Sequence, residues 1–138
     1  MNGITELQKI KNCVAKTSLD LKDAPYLESH YQNVLIHKLI NCNFVVSREV
    51  VVAYKLPNNF VFGHGRIDVL LETEKVIYIL ELKILAKLAT AVGQLKRYMI
   101  HIPNPNRKII KGAVVSFNHY NQFTIKILTL KPLSITFD

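Results

Sequence analysis

Residues 63–83 read GHGRIDVLLETEKVIYILELK and contain two apolar stretches joined by a short polar segment. The second stretch, 76–84, is a nearly continuous apolar run, which is typical of a central strand covered on both faces. It ends in Glu81-Leu82-Lys83, and a lone acid, Asp68, lies one strand earlier. Ionisable groups at the end of an apolar strand cost free energy unless they bind something, so this arrangement indicates a functional site.

The two stretches are predicted to pair as an antiparallel hairpin with a loop of two or four residues. In the expected register Asp68 lies opposite Ile79 and Arg66 lies opposite Glu81. Because side chains alternate along a strand, Asp68 and Glu81 then share one face with Lys83. A three-residue loop would move Asp68 to the opposite face. A joint site therefore predicts an even-numbered loop.

Two carboxylates and a lysine are the groups that metal-dependent phosphodiester cleavage needs. Asp68 and Glu81 could anchor Mg²⁺, with Mn²⁺ as a substitute, and the backbone carbonyl of Leu82 could add a further ligand. Lys83 could orient the attacking water and stabilise the developing negative charge. The alternative is a set of ion pairs with Arg66 and Lys83 at a sheet edge, which are common and contribute little energy.

Periodicity and turn signals outside this segment predict the remaining elements. Helical spacing of apolar residues predicts helices over 4–16, 25–41 and 86–101. Alternation bounded by turn residues predicts strands over 48–56, 60–71, 76–84, 109–117 and 123–130. Three consecutive strands predict an antiparallel meander, and the helix before the fourth strand predicts a parallel crossover. The expected fold class is α/β (α+β), a single domain over 1–138 with a mixed β-sheet and helices on its faces.

The composition fits one globular domain with a polyanionic partner. The chain has 138 residues, of which 49% are hydrophobic and 20% charged, and its net charge of +8 favours nucleic acid. No apolar stretch approaches a membrane span, and the start of the chain lacks a signal-peptide layout. Cys13 and Cys42 lack CxxC spacing, which predicts free thiols in a reducing compartment. We therefore expect an intracellular protein of the cytoplasm, nucleoid or nucleus, neither secreted nor bound to membranes.

An acid that ends one strand, followed by (Asp/Glu)-x-Lys on the next, resembles the PD-(D/E)XK nuclease superfamily. Asp68 and Glu81-Leu82-Lys83 match this pattern, and Ile67 stands where the superfamily often has proline. Residues 94–98, Gln-Leu-Lys-Arg-Tyr, resemble the Gln-x-x-x-Tyr element of its RecB-like branch. Residues 25–31 are similar to the helix motif of the small GxxExxY proteins, with Pro25 in place of glycine. The resemblance covers about 25–118 and implies a restriction-endonuclease-like αβββαβ core.

The resemblance also implies a role for each matching residue. Asp68 and Glu81 would be metal ligands and Lys83 the catalytic lysine, acting on DNA. Glu28 would be an outer ligand through water, and Gln94 would hold the site or contact the DNA backbone. The alternatives are a solvated acid in the first helical turn for Glu28 and packing on the sheet for Gln94. Further contacts with nucleic acid are predicted for His64, Arg66, Lys87, Arg97, Tyr98 and Lys108.

Three functions are compatible with these features. The first is a Mg²⁺-dependent DNA endonuclease, favoured by the co-facial acids and lysine. The second is a non-catalytic nucleic-acid-binding module on a nuclease fold. The third is a homodimeric Holliday-junction resolvase, because a small domain that must cut two strands commonly pairs.

Overall fold

The computed structural model describes residues 5–84 and 88–130. Eight elements follow one another in the predicted order: α1 (Glu6–Asp20), α2 (Glu28–Asn41), β1 (Val45–Lys55), β2 (Val61–Glu72), β3 (Val76–Ile84), α3 (Leu88–His101), β4 (Ile109–Phe117) and β5 (Phe123–Leu130). Lys87, one of the predicted contacts with nucleic acid, lies outside the described residues. Among the helices described, none is both long and apolar enough to cross a membrane.

The five strands form one mixed sheet in the order β1-β2-β3-β4-β5. Neighbouring strands are antiparallel except for β3 and β4, which are parallel. The parallel pair arises because α3 crosses over one face of the sheet between the two strands. The predicted fold class, a single α/β (α+β) domain with helices on the sheet faces, is confirmed.

The central strand β3 is buried on both faces, as its apolar run predicts. Leu80 and Leu82 pack with α1 and α2 in one apolar cluster, the α1/α2 core. Ile77 and Ile79 pack with α3 in a second cluster, the α3 core. Glu81 therefore lies in a strand that is covered on both faces, and its side chain is buried.

Both N-terminal helices differ from prediction at one end. α1 continues to Asp20 instead of ending at residue 16, since Thr17 and Ser18 are buried and the Thr17 hydroxyl donates to the Cys13 carbonyl at 2.8 Å. α2 begins at Glu28 instead of Pro25. Its N-cap, Leu27, is extended, and the Leu27 N–H donates to His30 Nδ1 at 3.1 Å. This start places Glu28 in the first turn of α2.

The two cysteines lie side by side where α1 meets the end of α2. Their Sγ atoms are 3.6 Å apart, and both are free thiols. Burial, together with the hydrogen bond and charge of Cys42, raises the pKa of Cys13 to about 12. Cys13 therefore stays protonated at neutral pH and packs as a small apolar side chain in the α1/α2 core.

The β2–β3 hairpin has the predicted even-numbered loop but a different register. Val69 pairs with Leu80, and the hydrogen-bonded ladder closes around a two-residue loop. The predicted register, with Asp68 opposite Ile79, is therefore wrong by two residues, because the turn is centred on Glu74 and Lys75, one residue later than predicted. An even shift preserves the side-chain faces. Continuation of this register places Asp68 level with Glu81.

The side chains of β2 change from one face of the sheet to the other at Asp68. Val69 packs in the α1/α2 core, whereas Ile67, two residues earlier, packs in the α3 core, which strict alternation would not allow. Pairing of β1 with β2 is interrupted opposite Asp68, at Glu49, whose φ of 53° is left-handed. Beyond this bend β2 no longer pairs with β3. Asp68 thus lies where the two strands separate.

Candidate active site where two strands separate

Asp68 is fixed by hydrogen bonds at both its side chain and its backbone. Its Oδ2 accepts from the Leu82 N–H at 3.0 Å, so the carboxylate takes a donor that would otherwise serve the β2–β3 ladder. Its backbone carbonyl, left without a partner on β1, accepts from Gln32 Nε2 at 3.1 Å. The carboxylate is thereby held in the gap between the two strands.

Gln32 was not predicted from the sequence. It is buried on α2, where its amide supports the bend at Asp68. The signal was present in the spacing, because Gln32 lies four residues after Glu28 and therefore on the same face of α2. An amide among the apolar residues that face the sheet needs a hydrogen-bond partner, and the backbone carbonyl of Asp68, which is unpaired on β1, supplies one.

Glu81 is an acidic side chain that is buried and only partly hydrogen-bonded. It is only 2% exposed, its Oε2 lies 3.4 Å from Lys83 Nζ, and its Oε1 is buried without a hydrogen-bond partner. Burial raises the pKa of Glu81, the neighbouring Asp68 raises it further, and Lys83 partly opposes both effects. A buried carboxylate with an unsatisfied oxygen costs free energy that a bound cation would recover.

The charges of Lys83 and Asp68 both act on Glu28, at the start of α2. Partial desolvation raises the pKa of Glu28, Lys83 lowers it, and Asp68 raises it. Glu28 is exposed at the start of α2, yet it lies within the electrostatic field of both residues. The structure therefore brings Asp68, Glu81 and Lys83 together, and the charges of Asp68 and Lys83 act on Glu28, so four of the five predicted catalytic residues influence one another.

Gln94, the fifth, approaches the site through Tyr98. Gln94 Nε2 donates to the Tyr98 hydroxyl at 2.7 Å, on the side of α3 that faces the sheet. Burial and the charge of Glu81 raise the pKa of Tyr98 to about 12, while hydrogen bonds from Gln94 and from the backbone of Arg66 act in the opposite direction. Tyr98 is 1% exposed, so it supports the site from beneath and is not positioned to contact DNA as predicted.

Gly65 allows the close packing of α3 on the ribbon. A Cβ at this position would lie 2.5 Å from the Tyr98 ring and would also overlap the hydroxyl of Tyr54. The glycine therefore permits two tyrosines to lie directly against the β2 backbone near the site.

The predicted basic contacts separate into two groups. His64 and Arg66 are exposed on β2, and Arg97 is exposed on α3. Lys108 lies at the other end of the sheet, where its Nζ contacts Glu72 Oε2 at 2.8 Å and the Thr73 carbonyl at 2.7 Å. The expectation that Lys108 lies near the substrate is contradicted by this position, because the loop before β4 leads to the opposite end of β3 from Glu81.

The oxygen atoms at the site are suitable ligands for a hard divalent cation. Asp68 and Glu81 supply carboxylate oxygens, and the Leu82 carbonyl points into the same gap as its N–H. Mg²⁺ commonly binds one or two carboxylates and keeps several waters, and Mn²⁺ accepts similar ligands. The unpartnered Glu81 Oε1 is a ready ligand. Within the described residues no group of three or more His, Cys, Asp or Glu is arranged to hold a metal alone, so water or substrate would complete the shell.

Comparison with protein families matches residues 5–127 to the PD-(D/E)XK nuclease superfamily. No curated protein matches the chain. The finer RecB-like and GxxExxY assignments stay predictions. The matched region contains α2, β1 to β3, α3 and β4 in the αβββαβ order of a restriction-endonuclease-like core, with the acid and the (Asp/Glu)-x-Lys group on neighbouring strands. This chain belongs to the PD-(D/E)XK nuclease superfamily.

Proposed function

We propose that the protein is a metal-dependent DNA endonuclease that hydrolyses phosphodiester bonds. The observation that carries the proposal is the buried Glu81, whose Oε1 lacks a partner although Asp68 and Lys83 lie beside it. A structural ion pair would bring both carboxylate oxygens to a donor or to water. An incomplete pair at a strand end instead suits a group that binds a cation during function.

In this proposal each side chain has a separate task. Asp68 and Glu81, with the Leu82 carbonyl, would hold Mg²⁺ or Mn²⁺, which when bound neutralises the phosphate and lowers the pKa of a coordinated water. Lys83 would orient the attacking water and donate to the oxygen that gains negative charge. Glu28 would hold water at the outer edge of the site.

Gln94 and Gln32 are positioning residues in this scheme. Gln94 holds the hydroxyl of Tyr98 next to Glu81, and Gln32 fixes the backbone of Asp68. Neither amide needs to contact the substrate, because Gln32 acts on Asp68 and Gln94 acts on a tyrosine that packs beneath the site. Their removal should loosen the carboxylates without unfolding the sheet.

The distribution of charge supports nucleic acid as the partner. From Leu82 to Phe137 the sequence contains no Asp or Glu. Within this region Lys96 and Arg97 are exposed on α3, the helix that packs beside the site. Such a surface attracts a polyanion and would track its phosphates.

The direct test is a cleavage assay with a matched pair of lysine variants. The wild type, Lys83→Ala and Lys108→Ala would be incubated with plasmid, single-stranded DNA, four-way-junction DNA and RNA in Mg²⁺, Mn²⁺ or EDTA. We expect cleavage by the wild type and by Lys108→Ala in either metal, and none by Lys83→Ala or in EDTA. Cleavage that survives in Lys83→Ala would refute the proposed mechanism.

The same assay tests the two other candidate functions. The described site has few side chains that could bind a metal, and this favours a non-catalytic binding module as the second candidate. Binding that persists in EDTA, with no cleavage in either metal, would support that module. Preferential cleavage of the four-way junction by a dimer would support the resolvase.

A further inference from the structure

On the basis of the proposed nuclease function, we infer that residues 50–67, the outer ribbon, form an arm that binds nucleic acid. Its basic face would contact phosphates, and its apolar tip would contact bases. The outer ribbon consists of the ends of β1 and β2 and the loop that joins them.

The outer ribbon projects from the catalytic end of the sheet. β2 pairs with β3 only from Val69 to Glu72, whereas its pairing with β1 continues out to Val61. At roughly 3.3 Å per residue, the ribbon reaches about 20 Å beyond Asp68. A two-stranded ribbon of this kind fits the major groove of duplex DNA.

The outer ribbon is held firmly against α3 on one face. Val52 and Ile67 are buried in the α3 core. The Tyr54 ring packs 5.1 Å from the His101 ring, and His101 Nδ1 accepts from the Lys55 N–H at 3.2 Å. This bracing fixes the ribbon relative to Asp68, so a ligand bound along it would be placed at a defined distance from the site.

The tip of the outer ribbon exposes apolar side chains on an ordered loop. Phe60 is 60% exposed, and Leu56, Val61 and Phe62 are also exposed. The Leu56 N–H donates to the Phe60 carbonyl at 2.9 Å, and the Phe60 N–H donates to Asn58 Oδ1 at 3.0 Å. A rigid loop that presents an aromatic ring to water gains free energy when that ring meets an apolar or π partner.

The charge of the outer ribbon favours nucleic acid over a protein partner or a second copy. Residues 50–67 include Lys55, His64 and Arg66 and no acid. His64 and Arg66 are exposed and alternate with Gly65 and Ile67, so they lie on the face that points away from α3. Two copies of a chain with a net charge of +8 would repel each other along this surface, whereas a polyanion would be attracted.

Aromatic rings beside a basic strand are the usual means by which proteins bind nucleic acid without sequence preference. Bases stack on such rings irrespective of sequence, and apolar wedges can enter a base step of duplex DNA. Phe60 at the tip and Arg66 near Asp68 would therefore hold two points of one strand. The scissile phosphate would lie on the Arg66 side.

The test compares exposed aromatic residues in two places. Affinity for fluorescein-labelled single-stranded and duplex DNA would be measured by anisotropy in Ca²⁺ for the wild type, Phe60→Ala, Arg66→Gln and Tyr120→Ala. Tyr120 is the matched control, since it is 82% exposed in the turn between β4 and β5. We expect Phe60→Ala to weaken binding about tenfold and Tyr120→Ala to leave it unchanged. Arg66→Gln should lower the salt dependence by about one phosphate contact.

Several outcomes separate this inference from the proposed function. Unchanged DNA affinity in Phe60→Ala, or an equal loss in Tyr120→Ala, would overturn the inference even if the wild type cleaves DNA. Dimerisation that depends on Phe60, with unchanged DNA affinity, would also overturn it in favour of a second copy. Weakened binding in Phe60→Ala, without cleavage by the wild type, would support the arm and refute the nuclease alone. Circular dichroism would verify that each variant is folded.

Discussion

Two glutamate–lysine pairs lie at opposite ends of the same sheet, and they differ in completeness. Lys108 Nζ lies 2.8 Å from Glu72 Oε2 and also donates to the Thr73 carbonyl, while Glu72 is half exposed to water. Lys83 Nζ lies 3.4 Å from Glu81 Oε2, and Glu81 is buried with its other oxygen unpartnered. In the Lys108–Glu72 pair the ammonium group has two acceptors and the carboxylate is open to water. In the Lys83–Glu81 pair one carboxylate oxygen is buried without a hydrogen-bond partner.

The backbone explains this difference. Lys108 comes from a loop that Asn104 closes, donating to the Lys108 carbonyl at 2.8 Å and accepting from its N–H at 2.9 Å, so its side chain can reach Glu72 freely. Lys83 follows Glu81 by two positions on one strand, and their Cα atoms are therefore roughly 6.6 Å apart. Lys83 Nζ meets Glu81 Oε2 at 3.4 Å, which is within ion-pair range but longer than the 2.8 Å contact of Lys108 with Glu72. Glu81 Oε1 has no partner, so it is the oxygen that a cation or a water would meet.

Removal of one charge from each pair should give the largest contrast. Glu81→Gln keeps the shape of the side chain but removes a metal-binding charge, so plasmid cleavage in Mg²⁺ should fall by a factor on the order of 1,000. Glu72→Gln removes a hydrated charge far from the site, and its activity should stay within about twofold of the wild type. Equal losses in the two variants would show that the buried pair has no special catalytic role.

Sequence patterns predicted the elements of the sheet better than its register. The apolar run that ends at Glu81 indicated a central strand, because only burial on both faces explains such a run. The register depended on where the turn is centred, which residues 73–76 do not fix, because two-residue loops at 73–74 and at 74–75 both keep Asp68 and Glu81 on one face. The bend at Asp68 was not predictable from alternation, because the strands of a two-stranded ribbon twist strongly and tertiary contacts decide where they turn over.

The site could be predicted only where its residues belong to a local sequence pattern. Asp68, Glu81 and Lys83 were identifiable because charged residues interrupt apolar strands, a pattern that is local in sequence. The spacing of Gln32 from Glu28 marks its helix face, but its role depends on a backbone carbonyl that only the bend makes available. Lys108 is basic like Arg97, and only the course of the chain shows that it lies at the other end of the sheet.

Gln32 offers a second way to sharpen the contrast, since it fixes Asp68, which lies beside the Lys83–Glu81 pair and far from the Lys108–Glu72 pair. Gln32→Leu removes the donor to the Asp68 carbonyl, so Asp68 should lose its fixed orientation and cleavage should fall by about 10- to 100-fold. The loss should shrink as Mg²⁺ is raised, because a loosened carboxylate weakens cation binding first. A Mg²⁺ titration of the cleavage rate would measure this shift.

Asn33→Leu is the matched control for Gln32→Leu on the same helix. Asn33 Oδ1 accepts from Arg48 at 2.6 Å on the exposed side of α2, a bond that does not involve the Asp68 carbonyl. Its removal should leave the Mg²⁺ dependence unchanged. If both variants shift the titration equally, the effect comes from α2 as a whole and not from the orientation of Asp68.

The metal-free protein should show a cost of the buried Glu81 that depends on pH. Because the pKa of Glu81 is raised in the folded state, folding favours the protonated side chain. The stability that the protonated form provides is fully present below the ordinary glutamate pKa of about 4.3 and is lost as pH rises through the raised value. In EDTA, the unfolding free energy of Glu81→Gln should therefore equal that of the wild type at ~pH 4. At ~pH 9 it should be higher than that of the wild type by roughly 1–3 kcal/mol. Thermal melting at both pH values would measure the difference.

Added Mg²⁺ provides the internal control for that experiment. A cation bound by the charged carboxylate should raise the melting temperature of the wild type at high pH and leave Glu81→Gln nearly unchanged. A wild type that is as stable as Glu81→Gln at high pH, with no response to Mg²⁺, would mean that Glu81 is satisfied without a cation.

The smallest effect should come from breaking the complete pair. Lys108→Met keeps the aliphatic part of the side chain and removes the ion pair with Glu72, which is half exposed and therefore screened, so the loss in unfolding free energy should be about 0–1 kcal/mol. The loss should fall further in high salt, because screening weakens the attraction between exposed charges. Urea unfolding at two salt concentrations would measure it. A loss well above this range would mean that the bond to the Thr73 carbonyl, and not the charge on Glu72, holds the hairpin end in place.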